Sequence, residues 1–238
     1  MTLSKVPLLI LTLASVWTSC SPPNPPPEKK EIVDRGSLTG RATTRRRLFG
    51  FFVAGAIFLE TLVIVSYDVS SRYPQSSRLW QEIPKVLLSN ADPVLLQPSP
   101  TFYVGVFLTA VGALIRYTCY QYLGRLFTFE LSLRKDHHLI TSGPYNIVRH
   151  PSYIGALVGF IGLYAVLFGE GSYMQVKGIL QTSSGRVIFC CINFFLMHFV
   201  HFLIKRIDVE DAFLRERFGK EWEDWARKVQ WKLIPRLY

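Results

Sequence analysis

Little of this 238-residue chain is charged: Asp, Glu, Lys and Arg make up 18% of it, against 49% hydrophobic residues. No alternating apolar–polar strand pattern recurs and no internal repeat is visible, which speaks against sheet and solenoid architectures. Cysteine is scarce. The four, Cys20, Cys119, Cys190 and Cys191, stand in or beside apolar segments, with neither zinc-ligand spacing nor a readable disulfide framework. They read as buried free thiols, and no metal site is expected. The net charge of +10 comes without any nucleic-acid recognition motif, so its expected partner is anionic lipid rather than nucleic acid.

What the chain has in abundance is long apolar runs. Residues 48–67, 102–123, 153–168 and 187–204 are each long enough, or nearly so, to cross a bilayer, for which about 20 apolar residues are needed. The third is short and calls for thinning, snorkelling or burial against its neighbours. Four such segments exceed what a soluble core can hide. Residues 6–17 form a further run behind Lys5, the length of a signal-peptide core or of a first span. Charge bears on this choice. Segments 21–47, 124–152 and 205–238 carry 20 Lys and Arg, while segments 68–101 and 169–186 carry 5. The positive-inside rule places the first set in the cytosol. A cleaved leader would invert that orientation. An uncleaved one gives an all-α, multi-pass transmembrane bundle of about five spans.

Residues 1–47 read as this apolar segment followed by a Pro-rich linker that ends in Arg45, Arg46 and Arg47. Residues 48–238 read as the membrane domain. In its 68–101 loop, prolines allow only a short helix around residues 79–88. Chemistry is expected in region 124–238, where two basic segments flank the last two spans.

Two stretches carry that expectation. In "HHLITSGPYNIVRHPSYIG", Pro151 suits the first turn of a helix, which leaves Arg149 and His150 at its N-terminus on the membrane surface. They could be interfacial anchors, with arginine snorkelling and tyrosine in the aromatic belt. In "HFLIKRIDVEDAFLRERFGKEWEDW", Arg206 and Glu210 are four apart on one helix face, with Asp208 and Asp211 beside them. That could be a solvated ion pair, but it leaves the membrane on the side of His150. Phe218, Trp222, Trp225, Ala226 and Val229 then recur at helical spacing, as an amphipathic helix lying on the membrane or closing over a site. Glu60 and Arg116 fall within spans, where charges face a bundle interior or a cavity. His198 and His201 are three apart without a third ligand, and hydrogen-bonded interior histidines are expected.

Residues 123–155, "LGRLFTFELSLRKDHHLITSGPYNIVRHPSYIG", and the tail "RIDVEDAFLRERFGKEWEDWARKVQWKLIP" together closely resemble the isoprenylcysteine carboxyl methyltransferase family. The likeness is strong over about the last 115 residues and does not reach residues 1–47. The box formed by Arg149, His150, Pro151 and Tyr153 is by itself shared with membrane phospholipid methyltransferases and, more loosely, sterol reductases. The resemblance implies S-adenosylmethionine-dependent methylation of the free carboxylate of a C-terminal prenylated cysteine. It implies an endoplasmic reticulum membrane location with the cofactor site facing the cytosol, and prenylated protein C-termini (small GTPase-like or pheromone-like) as partners. It places the cofactor on Glu130, His137, His138, Leu139, Ile140, Tyr145, His150, Pro151, Ser152, Tyr153 and Glu210, and the substrate on Arg206. No side chain is assigned proton transfer, because a carboxylate attacks a sulfonium methyl without a base and needs only proximity and alignment. The chain departs from the pattern at Asp211, where glutamate is usual, and at Val209, where an acid is frequent. The alternatives are an amine-directed phospholipid methyltransferase and a non-catalytic scaffold of the same fold.

The charge asymmetry makes a direct prediction. On sealed microsomes, a tag placed after residue 238 should be digested by added protease. Protection of the tag would reverse the orientation.

Overall fold

The computed structural model describes residues 2–21, 23–32, 42–75, 77–89, 91–129, 131–132 and 137–236. Among these, the architecture is helical throughout. The only β contact is one isolated antiparallel bridge between Ile32 and Ser132. The α-helices are α1 (Lys5–Cys20), α2 (Ala42–Arg72), α3 (Arg78–Leu88), α4 (Pro100–Leu123), α5 (Pro151–Phe168), α6 (Tyr173–Val176), α7 (Ser183–Phe218) and α8 (Lys220–Lys228). Four stretches have the length and apolarity to cross a membrane: Leu48–Arg72, Pro93–Leu126, Pro151–Val176 and Ser183–Phe218. That is a multi-pass membrane architecture. At 16 residues α1 is shorter, but its apolar face packs against α4 and α2 as part of the same bundle. The short helix expected in the 68–101 loop is α3, 11 residues long and holding Pro84.

Local chemistry sets the helix ends. Pro100 and Pro151 start α4 and α5, and the Ser99 hydroxyl accepts from the Phe102 N–H. Gly219, with φ of 52°, separates α7 from α8. A side chain is unfavourable in that backbone conformation, so the glycine lets the chain turn sharply where the long helix leaves the bundle.

Helices α4 and α5 form the tightest pair, and glycine is the reason. A Cβ built on Gly112 would lie 2.5 Å from the Gly155 carbonyl oxygen and 2.5 Å from the Gly159 nitrogen. One on Gly162 would lie 2.5 Å from the Thr109 nitrogen. In lipid, where apolar burial between helices gains little, such close backbone approach supplies the packing. Helix α7 is the opposite case. Only 6% of its apolar window is buried, and rings such as Phe160 against Phe199 (4.8 Å) bridge it to α5.

Two expectations fail on this exposed helix. Cys190 and Cys191 are exposed rather than buried, whereas Cys119 is buried. His198 and His201 are exposed on α7 rather than hydrogen-bonded inside. The cause is the same: α7 meets the bundle along a single strip.

The glycine contact predicts a contrast. Gly112→Ala and Gly162→Ala should each lower stability by about 1–3 kcal/mol through overpacking. Gly159→Ala, whose Cβ would meet nothing closer than 3.8 Å, should leave the melting temperature in nanodiscs unchanged or raise it. Equal losses at all three positions would contradict the packing.

Candidate functional site

The site forms where the start of α5 meets the end of α7. His150 is the N-cap of α5, and Pro151 follows at its first position. The C-terminal tail fastens this entrance: the Arg149 and His150 amides donate to the carbonyls of Trp231 and Lys232, both at 2.9 Å. Neither side chain is an interfacial anchor. His150 is buried, and Arg149 turns inward to donate to Asp211 at 2.9 Å and to the Gln230 carbonyl at 3.2 Å. Its guanidinium also lies over the Trp222 ring.

Helix α7 brings two acids to the His150 ring. Consecutive helical residues diverge by about 100°, so Glu210 and Asp211 reach different sides of it. His150 Nε2 is 3.0 Å from Asp211 Oδ1, and Nδ1 is 3.4 Å from Glu210 Oε2. A neutral imidazole has one N–H, whereas two flanking carboxylates match the doubly protonated ring. Burial disfavours the imidazolium, yet the hydrogen bonds and charges of Asp211 and Glu210 outweigh it and raise the His150 pKa above its ordinary value. Glu210 Oε1 also accepts from the Tyr153 hydroxyl at 2.8 Å and from Arg206 Nε at 3.2 Å. With the ring doubly protonated, the cluster sets three cations, Arg149, His150 and Arg206, against two carboxylates.

A cavity of about 580 Å³ opens beside this cluster. His137, His138, Leu139, Ile140, Tyr145, His150, Ser152, Tyr153, Arg206 and Glu210 all line it. Pro151 does not; it starts α5. Glu130 lies outside the described residues. The wall has a polar end and an apolar extension between α5 and α7, formed by Ala156, Phe160, Leu163, Phe195, Phe199 and Phe202. At the polar end, burial holds His137 neutral by lowering its pKa, helped by the charges of His138 and Arg217. Among the described residues its buried Nδ1 has no hydrogen-bond partner. Burial raises the Tyr145 phenol pKa, so that group also stays neutral. Helix α8 closes over this end. Trp222, Trp225 and Val229 pack with Cys119 and Tyr145, and Trp225 Nε1 donates to the Tyr145 carbonyl at 3.2 Å.

Asp211, Arg149 and Arg116 complete this geometry; the sequence points to Arg149 at the start of a span, to Asp211 beside Glu210 and to Arg116 facing an interior or a cavity, but assigns none of them cofactor or substrate. Arg116 is buried in the cavity wall. Its Nε donates to the Ser19 carbonyl and the Tyr120 hydroxyl, and another guanidinium nitrogen donates to the Ser152 carbonyl. Adjacency is the signal for the roles of Asp211 and Arg149, since Asp211 follows Glu210 and Arg149 precedes His150 in the chain. No group of three or more metal-ligating side chains occurs among the described residues.

The model of the isoprenylcysteine carboxyl methyltransferase family matches residues 104–216. A probable protein-S-isoprenylcysteine O-methyltransferase of Oryza sativa subsp. japonica is 32% identical over 129 residues, 53% of this chain and 58% of the relative. Protein-S-isoprenylcysteine O-methyltransferase B of Arabidopsis thaliana is 28% identical over 127 residues, 52% of this chain and 55% of the relative. A Delta(14)-sterol reductase of Neurospora crassa is 25% identical over 45% of this chain and 25% of its own length. The chain therefore spans little more than half the length of the methyltransferase relatives it matches. No solved structure matches.

The charged cluster makes stability depend on pH. The folded-state pKa of His150 is raised above the unfolded value of about 6.5. Its contribution is therefore fully present below that value and is lost as pH rises through the folded one. The melting temperature in detergent should fall across this window, and His150→Gln should flatten that part of the slope. Superimposable profiles would show that the ring is not charged in the fold.

Proposed function

We propose that this chain, whose residues 104–216 match the model of the isoprenylcysteine carboxyl methyltransferase family, transfers a methyl group from S-adenosylmethionine to the C-terminal carboxylate of a prenylated cysteine. The observation that carries the reading is the surplus of positive charge at the junction of a polar and an apolar cavity. Three cations against two carboxylates favour an incoming anion, and the apolar extension between α5 and α7 fits a hydrocarbon chain arriving from lipid. A phospholipid amine, cationic until it loses a proton, gains nothing from that surplus.

The residues also fit the cofactor. His137 Nδ1, buried in the cavity wall and without a partner among the described residues, has hydrogen-bonding capacity for a polar ligand. Leu139, Ile140 and the ring of Tyr145 supply apolar and aromatic surface beside it, while Tyr153 and Glu210 supply a π face and a negative charge for a cation. When bound, the cofactor contributes an electrophilic sulfonium methyl. Arg206 binds and aligns the substrate carboxylate. Its contact with Glu210 uses Nε, which leaves the terminal amino groups outside that pair. Glu210 in turn is held by Tyr153 and His150. Since the attacking carboxylate is already ionised, no residue needs to take up a proton, and the rate gain comes from proximity and orientation.

In this reading residues 48–238 are the methyltransferase domain, and α1 is a fifth span behind a Pro-rich linker. The protein sits in the endoplasmic reticulum membrane with its site facing the cytosol. It acts on prenylated protein C-termini of small GTPase-like or pheromone-like kind.

Arg206→Lys tests the carboxylate role, because it keeps the charge and loses the planar fork. A charge-assisted hydrogen bond of this kind contributes about 1.5–3 kcal/mol, so kcat/KM for a farnesyl-cysteine analogue should fall roughly 10- to 100-fold. Affinity for S-adenosylhomocysteine should change much less, whereas Glu210→Gln should weaken it. Wild-type turnover by Arg206→Lys would remove Arg206 from the substrate site.

A further inference from the structure

The N-terminal helix lies outside the family match, yet it walls the cavity. Val16, Ser19 and Cys20 of α1 all line it. Both ends of the helix are fixed. At the far end Lys5, fully buried, has its ammonium 2.5 Å from Glu60 Oε1, donates to the Gly171 carbonyl at 2.7 Å and sits over the Phe102 ring. A charge pair this deeply buried is costly to break, because either partner alone would be left unpaired in a low-dielectric interior. At the site end, 14 residues and about 21 Å along the helix axis, the Ser19 carbonyl accepts from Arg116 Nε at 2.9 Å and from the Tyr120 hydroxyl at 2.8 Å. Past α1, Asn24 Nδ2 donates to the carbonyls of Gly124 and Phe127, and Ile32 bridges Ser132. The first 32 residues thus brace both the cavity wall and the loop that continues it.

The two ends of this wall differ in chemistry. Ser19 stands beside Arg116, at the polar junction. Val16, one turn deeper, packs in the cluster that includes Leu163 and Phe49, which line the apolar part of the same cavity. The clamp at Lys5 holds α1 at a fixed height, so the Val16 side chain stands at a fixed distance from the charged cluster.

We propose that α1 selects the length of the substrate's apolar group, with Val16 as the specificity-determining residue. This rests on the methyltransferase reading above. A bulkier side chain at Val16 shortens the apolar compartment, and a smaller one deepens it. A methylene's worth of misfit in an apolar pocket changes discrimination by about tenfold or somewhat less.

The test is methyl transfer to farnesyl-cysteine and geranylgeranyl-cysteine analogues by the full chain in nanodiscs, comparing wild type, Val16→Phe and Val16→Ala. Val16→Phe should lower kcat/KM for the longer substrate relative to the shorter by about 5-fold or more. Val16→Ala should shift the ratio the other way, and S-adenosylhomocysteine affinity should hold in both. If Val16→Phe does not fold, Val16→Ala still decides the direction. Turnover with an unchanged ratio overturns the inference and leaves the reaction standing. Absence of turnover by the wild-type chain on both substrates overturns the reaction, and the inference with it.

Discussion

The charged knot between the start of α5 and the end of α7 is the interaction on which the rest depends. Along its apolar length α7 is almost bare, with 6% of that window buried. Aromatic contacts and one hydrogen bond, from the Tyr164 hydroxyl to Asn193 Oδ1, steady its middle. At the site end, Glu210 and Asp211 together grip Arg149, His150, Tyr153 and Arg206. Partly buried ions of this density are unfavourable one by one and hold only as a network in which each charge has a partner. The network lets a long helix stay docked at one end and stand away elsewhere, and that separation is the apolar extension of the cavity.

The same knot settles the chemistry the site can offer. Both ring nitrogens of His150 face carboxylates, which favours its charged form and makes it a poor proton acceptor, so a reaction that needs a general base is badly served. A reaction between a sulfonium and a pre-ionised carboxylate needs none. On the proposed reading the surplus positive charge serves an incoming anion, and the neutral rings of His137 and Tyr145 line another part of the wall. On that reading membrane and water supply the two reactants from different sides, and a cavity with one polar and one apolar half is the form that junction takes.

Much of this was legible in the chain. The four long helices follow from apolar run length, and the start of α5 from Pro151, because both depend on local composition. The Arg206–Glu210 pair follows from spacing within one helix. What eluded the reading depended on tertiary contact. Asp211 looks like one more acid on a solvated face until α7 turns it toward Arg149 and His150. His198, His201, Cys190 and Cys191 appear interior only if α7 is assumed to be packed all round, and no periodicity reveals that a helix is bare. The partnership of Lys5 with Glu60 joins residues 55 apart, and no local pattern announces it. The choice between a helix lying on the membrane and one closing over the site was open for residues 218–229. It is resolved by the packing of Trp222 and Trp225 on Tyr145.

The central claim is that the methyl acceptor is a carboxylate. Membranes from cells expressing the full chain should be incubated with methyl-labelled S-adenosylmethionine, a farnesyl-cysteine analogue and phosphatidylethanolamine together. The chemistry of the labelled product then decides. A methyl ester releases its label as volatile methanol under mild alkali, and an N-methyl amine does not. The account predicts alkali-labile label on the prenylcysteine. Alkali-stable label on the lipid, with none on the prenylcysteine, would contradict it.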